Sequence, residues 1–282
     1  MQSVVECAVS DWFVRQQGPD AHETRGKTAQ QRLRRLDQFL QAFDPRLLAR
    51  ADSCVVDLGY GRVPLTTIEW FQRLQTNYPT VRMIGIERET ERVSAAQAML
   101  TPDLAACGLT FRKGGFRLPL TPDEPVMLCR AMNVLRQYEE DAAVKAHAQI
   151  VAQLAEGGLL AEGTCDPLGR VMAVVLLRNR DGRPVMEGLL FAGSLKDPVL
   201  PRAFKAVLPK HLIHRVVQGN PIHGFFEAWD TAVRATRGQA EFGHRQHFVA
   251  AAERLAGTVV GIDTRRAWLR NGWMLWRGAP YP

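Results

Sequence analysis

The amino-acid sequence predicts an α/β fold built on a doubly wound, mostly parallel, Rossmann-like sheet, and three observations lead to this fold class. Between residues 53 and 165, short apolar runs alternate with segments of helical periodicity. This alternation predicts parallel strands joined by crossover helices. Two further apolar runs flank the stretch from Asn179 to Gly182, a turn sequence that predicts an antiparallel hairpin. Helical patterns before residue 50 and after residue 195 predict added N- and C-terminal helices.

Composition and charge are those of an ordinary globular chain. Of its 282 residues, 46% are hydrophobic and 23% are charged, which gives enough apolar surface for a full core. The net charge of +7 is moderate for this length and does not by itself indicate nucleic acid. The five cysteines form no disulfide or metal-binding pattern, and no apolar run is long enough to cross a membrane. We therefore expect a cytoplasmic protein with no membrane contact.

The N-terminal region predicts helices that cover the sheet. Apolar residues at helical spacing predict a first helix over residues 3–17 and a second one from Thr28, as the N-cap, to about Phe43. Residues 1–50 are predicted as an N-terminal helical cap and residues 51–282 as the main domain with a C-terminal helical cover. The two parts are expected to form one compact unit. Basic residues near the second helix either contact phosphates or form a solvated face, and the second interpretation is favoured.

The remaining elements follow from apolar runs, helical periodicity and the positions of glycine and proline. Predicted strands cover residues 53–57, 82–87, 109–112, 126–131, 159–163, 171–178 and 184–191, and a last strand lies within 267–277. Predicted helices cover residues 65–77, 90–100, 138–156, 200–212, 221–236 and 244–256.

Two of the predicted strands end in an acidic residue, and a glycine turn follows the first of them. Asp57 ends one strand, Gly59 and Gly61 come directly after it, and Glu87 ends the next strand. Because the carboxyl ends of parallel strands meet at one edge of the sheet, these residues are expected to share a crevice. Glycines allow tight turns and close approach of a ligand, and a carboxylate accepts hydrogen bonds from hydroxyl groups. The pattern indicates a nucleoside pocket.

The order of these motifs over residues 53–165 resembles the class I (Rossmann-like) methyltransferases that depend on S-adenosylmethionine (SAM). Further motifs that carry the resemblance are the stretches 114–116 after the third strand, 130–135 around the end of the fourth, and 157–160 before the fifth. The chain as a whole is also similar to bacterial methyltransferase-like proteins of unassigned substrate. The resemblance implies SAM as the cofactor.

Each motif has a role that the resemblance implies. The glycine turn packs against the methionine part of SAM, the acid after the second strand accepts hydrogen bonds from both ribose hydroxyls, and the loop after the third strand contacts adenine. The segment after the fourth strand lies near the transferable methyl group. The cofactor-binding residues implied in this way are Asp57, Gly59, Tyr60, Gly61, Glu87, Gly115, Phe116 and Arg130.

Three residues near the predicted crevice are candidates for catalysis. Methyl transfer from a sulfonium group requires alignment, and it requires a general base when the acceptor is a hydroxyl or a protonated amine. Asn133, Glu162 and Asp166 follow or lie in strands that end at the crevice. Each has a structural alternative. Asn133 is equally suited to cap a loop, and for Glu162 and Asp166 the interpretation as ordinary surface acids is favoured over that as bases.

The histidines form no metal-binding pattern in the sequence. His211 and His214 share a predicted helix face, and His244 and His247 repeat that spacing, without a carboxylate or cysteine at a metal-like separation. We therefore predict no metal site. His214 and His223 remain alternatives for a base that reaches the pocket.

Together these motifs predict an enzyme that transfers a methyl group from SAM to an acceptor that the sequence does not identify. A small molecule is favoured as the acceptor because helices are predicted to cover the C-terminal half. The alternatives are a non-catalytic SAM-binding or interaction protein, an RNA- or protein-directed methyltransferase, and a nicotinamide-dependent oxidoreductase. Val63 argues against the oxidoreductase, because it stands where a third glycine is expected. Asn133 is not followed by the Pro-Pro-aromatic sequence of amino-directed nucleic-acid methylases, which disfavours methylation of base amino groups.

Overall fold

The structure is a computed structural model that describes residues 28–50 and 52–282. Within these residues, the strands form one eight-stranded sheet in the order β3-β2-β1-β4-β5-β6-β7-β8. The strands are β1 Cys54–Leu58, β2 Arg82–Glu87, β3 Leu109–Lys113, β4 Val126–Met132, β5 Leu159–Cys165, β6 Val171–Arg180, β7 Arg183–Gly193 and β8 Trp273–Trp276.

The first five strands form the parallel part of the sheet. β1 pairs in parallel with β2 on one side and with β4 on the other, and β3 and β5 extend the two sides. This is the strand order of a doubly wound fold, in which strands are first added on one side of β1 and then, from β4 onwards, on the other side. Both faces are buried along β1, β4 and β5, as expected when helices cover a parallel sheet. The predicted fold class is confirmed.

The last three strands continue the sheet as an antiparallel meander. β6 pairs with β5, β7 with β6, and β8 with β7. The connection between β6 and β7 consists of Asp181 and Gly182, whose φ angles of 52° and 73° are both positive. Two positive φ angles are those of a type I′ turn, whose twist matches that of the paired strands. The predicted hairpin is confirmed.

Helices lie on both faces of the sheet, and three differ from the predicted bounds. The helix predicted over 138–156 is shorter, Glu140–Val151. The helix predicted from Thr28 begins at Arg34, after Leu33 and without a side-chain cap. The predicted helix 200–212 is two short helices, because Pro209 has no amide hydrogen to donate. The predicted helix 3–17 lies outside the described residues. The α-helices are Arg34–Phe43, Arg46–Ala49, Leu65–Asn77, Thr90–Met99, Pro102–Ala106, Glu140–Val151, Pro201–Lys205, Lys210–Ile213, Pro221–Ala235, His244–Ala256 and Arg266–Leu269, with 3₁₀ turns at Leu135–Gln137 and Arg237–Phe242.

Aromatic side chains attach the outer helices to the sheet. Phe39, on the first described helix, lies 5.0 Å from Trp268 and 5.6 Å from Trp273 between ring centroids. On the other face, Phe191 of β7 stacks on Phe225 at 5.0 Å. Each fully buried large apolar side chain contributes about 1.5–3 kcal/mol. No helix in the described part of the chain is long and apolar enough to cross a membrane.

Candidate cofactor site

The glycine turn after β1 is closed on one side and open on the other. Gly59 and Gly61 have φ angles of 73° and 82°, in the left-handed region that glycine adopts without steric cost. A Cβ atom on Gly59 would lie 2.6 Å from Cγ2 of Val134, so the loops after β1 and β4 touch at this point. A Cβ atom on Gly61 would meet nothing within 4 Å. The open side of the turn therefore allows a ligand to approach the backbone.

The acid at the end of β2 contacts this turn directly. The backbone N–H of Gly61 donates a hydrogen bond to Oε2 of Glu87 at 2.9 Å, and the N–H of Arg88 donates to Oε1 at 2.8 Å. Arg92 lies 3.8 Å from Oε2. A carboxylate has about four acceptor positions on its two oxygens. Glu87 thus retains capacity for ligand hydroxyls, and the structure brings it together with the glycine turn.

Asp57 and Arg130 form a buried ion pair with one another. Nε and Nη2 of Arg130 donate to the two carboxylate oxygens of Asp57 at 2.9 and 2.7 Å. The hydroxyl of Thr67 donates to Asp57 at 2.6 Å. Arg130 has no exposed surface, and Asp57 is 3% exposed. Both residues lie beneath the glycine turn, and their charged groups contact protein atoms.

The same guanidinium reaches the N-terminal helix. Nη1 of Arg130 donates to the buried carboxylate of Asp37, which also accepts a hydrogen bond from Arg73. The guanidinium carbon lies 4.2 Å from the ring centroid of Trp70. Burial lowers the pKa of Arg130, but the charges of Asp57 and Asp37 outweigh this effect and hold its pKa above the usual value. Asp37 was not among the predicted site residues, although an acid beside the apolar stripe of its helix was a visible signal.

The other three predicted cofactor contacts differ in their surroundings. Tyr60 turns into the core, where its ring packs edge-on against Phe111 at 5.3 Å. Gly115 is open, because a Cβ atom there would meet nothing within 4 Å. Phe116 is half-buried and lies 5.3 Å from the ring of Tyr138. Gly115 and Phe116 therefore follow β3 at the carboxyl edge of the sheet, whereas Tyr60 supports the glycine turn from below.

Asn133 joins the ends of β4 and β5. Its φ angle is 62°, a left-handed conformation that is uncommon outside glycine. Its N–H donates to the carbonyl of Gly163 at 2.7 Å, and its Oδ1 accepts from the N–H of Cys165 at 3.1 Å. Its Nδ2 lies 3.4 Å from Sγ of Cys165. The structure places Asn133 at the crevice edge and also gives its side chain a capping contact.

Asp166 organises the turn between β5 and β6. Its Oδ1 accepts a hydrogen bond from the N–H of Val171 at 3.0 Å. The Nε of Arg32 donates to the carbonyl of Asp166 at 3.2 Å, and Arg35 donates to the carbonyl of Gly169 at 2.8 Å. Part of the basic N-terminal stretch thus binds the chain itself.

Glu162 lies on the opposite face of the sheet from Arg130. It is 1% exposed, and its Oε2 lies 3.2 Å from Nε2 of His147. Nδ1 of His147 lies 3.2 Å from the hydroxyl of Tyr281. His211 is buried beside them, whereas His214 is exposed, so these two histidines do not share a site. His147 and Tyr281 were missed because neither lies in a sequence pattern that marks a ligand.

Comparisons with known proteins give likeness in structure only. No protein-family model matches the chain, and no curated protein matches it in sequence. The SAM-bound amino pentose methyltransferase CalS10 from Micromonospora echinaspora is 15% identical, with 65% of this chain and 72% of that chain covered and a TM-score of 0.36. The CcbJ methyltransferase from Streptomyces caelestis is 16% identical, with 58% and 74% covered and a TM-score of 0.36.

A third solved structure is an O-methyltransferase family 2 protein from Planctomyces limnophilus in complex with apigenin. It is 21% identical, with 42% of this chain and 35% of that chain covered and a TM-score of 0.32. The chain spans about half or less of the length of some structures that it resembles, 46% and 35% in two cases. At these identities and TM-scores, the likenesses identify neither a family nor an activity of this chain.

Proposed function

We propose that this chain is a SAM-dependent methyltransferase that acts on a small-molecule acceptor. The observation that carries the proposal is the hydrogen bond of 2.9 Å between the N–H of Gly61 and Glu87. It joins the two sequence motifs that, by resemblance, contact the methionine part and the ribose of SAM. The strand order reverses between β1 and β4, and doubly wound sheets bind nucleotides at such a point.

The residues at this edge fit the cofactor. Glu87 would accept hydrogen bonds from the ribose hydroxyls, and the open side of Gly61 would let the cofactor approach the backbone. Gly115 and Phe116 would flank the adenine. SAM, when bound, supplies a sulfonium that is a good leaving group, so the chain contributes mainly alignment and exclusion of water.

Asp57 and Arg130 have an indirect role in this proposal. Their charged groups bind each other, so we assign them to holding the glycine turn rather than to contacting the cofactor. A positioning residue of this kind acts on affinity through the shape of the turn. Asn133 is assigned to the methyl end of the crevice, because it follows β4 and the resemblance places the segment after the fourth strand near the transferable methyl group.

The proposed acceptor class rests on the cover of the antiparallel half of the sheet. The helices Pro221–Ala235 and His244–Ala256 pack with β7 and β8 in one apolar cluster. Such cover favours an enclosed site for a small molecule over a flat surface for RNA or protein. Part of the basic stretch near residues 32–35 binds carbonyl groups of the chain, which leaves less of it for nucleic acid.

Isothermal calorimetry tests the cofactor. Wild-type protein is expected to bind SAM, and Glu87→Gln is expected to raise the Kd at least about tenfold, because one hydrogen bond to a charged group is worth about 1.5–3 kcal/mol. Glu91→Gln is the matched control, since Glu91 is an exposed acid four residues away. Absence of binding by the wild type, or equal affinity of Glu87→Gln and the wild type, would refute the assigned pocket.

Methyl transfer is tested separately with SAM that carries a labelled methyl group. The protein is incubated with small-molecule, RNA and protein fractions of a cell extract, and label is expected in the small-molecule fraction. Label in RNA or protein alone would refute the acceptor class. Tight SAM binding without label in any fraction would favour a non-catalytic SAM-binding protein.

A further inference from the structure

A buried cluster of metal-ligand residues lies on the face of the sheet opposite the Arg130 network. His147 on the helix Glu140–Val151, Glu162 on β5 and His211 on the helix Lys210–Ile213 each offer one ligand atom, and these atoms lie within 4.8 Å of one another. All three side chains are buried. Two imidazoles and one carboxylate form a donor set that is common for Zn²⁺ and for non-haem iron.

His211 is the least satisfied member of the cluster. It has no exposed surface, and neither of its ring nitrogens has a hydrogen-bond partner within the described part of the chain. Its ring meets that of His147 edge-on at 5.3 Å. Buried polar atoms of side chains usually have partners. Two unpartnered nitrogens in one buried ring therefore call for a ligand.

The carboxylate of the cluster contacts a histidine. The ion-pair partner that the structure shows for Glu162 is His147 at 3.2 Å. A neutral imidazole offers the lone pair of one ring nitrogen to a metal ion, and His211 is placed to offer one to the cluster. Arg215 is paired with Glu140 at 2.7 Å. The cluster thus places a carboxylate beside two imidazoles, and no Lys or Arg of the described residues forms an ion pair with Glu162.

We propose that His147, Glu162 and His211 bind a divalent transition-metal ion of the Zn²⁺ class. With Zn–N bonds of about 2.0–2.1 Å in tetrahedral geometry, two ligand atoms on one ion lie about 3.4 Å apart. Nε2 of His147 and Oε2 of Glu162 already lie 3.2 Å apart. Metal binding therefore requires the ring of His211 to approach these two atoms by side-chain rotation. Nε2 of His147 would bind the metal, and Nδ1–H would then donate to the hydroxyl of Tyr281, which lies 3.2 Å away. Metal-bound histidines commonly have such an outer partner.

The position of the cluster separates it from the proposed cofactor pocket. Glu162 lies three residues before Cys165, the end of β5, which is about 10 Å along a strand. The ion would join β5, the helix Glu140–Val151 and the segment around His211, and so attach the C-terminal cover to the parallel sheet. This site does not include Gly61 or Glu87, so the metal proposal and the methyltransferase proposal stand or fall separately.

Zinc stoichiometry tests the proposal. The full chain is treated with a chelator, exchanged into buffer, mixed with Zn²⁺ and desalted before zinc is measured. Wild-type protein is expected to retain about one equivalent. His214→Leu, the matched control at an exposed histidine of the same segment, is expected to retain the same amount. His211→Leu is expected to raise the Kd for Zn²⁺ at least about 100-fold, and Tyr281→Phe about 10–100-fold.

Two measurements of the melting temperature separate loss of the metal site from loss of the fold. Metal-free His211→Leu is expected to melt at or above the temperature of the metal-free wild type, because an unpartnered buried polar group has been removed. Zn²⁺ is expected to raise the melting temperature of the wild type, whereas Mg²⁺ at the same concentration is not, since imidazole favours Zn²⁺. No zinc in desalted wild-type protein, no rise with Zn²⁺, or equal zinc in His211→Leu would each overturn the proposal.

Discussion

Replacement of Arg130 by methionine should reveal how strongly the ion network beneath the glycine turn holds the fold. Arg130 is fully buried and donates to both Asp57 and Asp37. In the Arg130→Met variant, Asp37 keeps its hydrogen bond from Arg73. Asp57 keeps only the hydroxyl of Thr67 as the partner shown for its side chain. The variant thus leaves one buried carboxylate without a cation.

The magnitude follows from this loss of compensation. Removing one partner of a buried ion pair costs about 3–5 kcal/mol, because the remaining charge stays desolvated. For a chain of this size the melting temperature changes by about 2–4 °C per kcal/mol, so Arg130→Met should melt roughly 6–20 °C lower. The loss should be smaller at pH 5 than at pH 8, because a buried carboxyl without a cation favours its protonated form.

Urea unfolding followed by circular dichroism measures the effect. Arg136→Met is the matched control, because Arg136 is exposed just beyond the same strand. Its free energy of unfolding should lie within about 0.5 kcal/mol of that of the wild type. The double variant Arg130→Met/Asp57→Asn should be more stable than Arg130→Met alone, since it removes the uncompensated charge. A single variant within about 1 kcal/mol of the wild type, or a double variant that is less stable than the single one, would contradict this reasoning.

Two further predictions concern the surface and the hairpin. Hydrogen bonds from Arg112 at 2.5 and 2.7 Å lower the pKa of Glu124 from 4.5 to about 2. Glu124→Gln should therefore cost about 1 kcal/mol at pH 7, and urea midpoints should converge with the wild type as pH falls from 4.5 towards 2. Gly182→Ala should cost about 1–2 kcal/mol in thermal unfolding, because φ is 73° there and no neighbour blocks a Cβ atom. Gly224→Ala, in a helix, should instead stabilise by about 0.5–1 kcal/mol, and equal effects at the two glycines would contradict the backbone argument.

Local periodicity in the sequence was sufficient to predict those helices and strands whose bounds are set by their own residues. The predicted bounds of the helix Leu65–Asn77, the strand Arg82–Glu87 and the helix His244–Ala256 agree with the structure to the residue. Each has an unbroken apolar pattern and a clear stop. The predicted helix bounds were wrong near Thr28 and Pro209. Short and longer helices compete there, and the helical pattern of a few residues contributes little stability.

The partners of buried charges were not predictable in the same way. Asp37 and Arg130 are 93 positions apart in the chain, and Glu162 and His147 lie on different elements. Taken alone, each of these residues is typical of an ordinary polar position. Only the arrangement of strands and helices in the fold brings the two members of each pair together. The arginine inside the apolar run of β4 indicated that a buried acidic residue pairs with it. The neighbouring sequence did not identify which acidic residue that is.

The two polar clusters explain why the crevice edge is formed by these particular strands. Arg130 and Glu162 lie on adjacent strands, β4 and β5, and their side chains extend to opposite faces. Each cluster ties one of these strands to a covering helix. Asn133 then joins the two strand ends in a left-handed conformation that is sparsely populated for residues other than glycine. Such a conformation persists when its surroundings fix it, and here strands held on both faces provide that constraint beside the proposed site of methyl transfer.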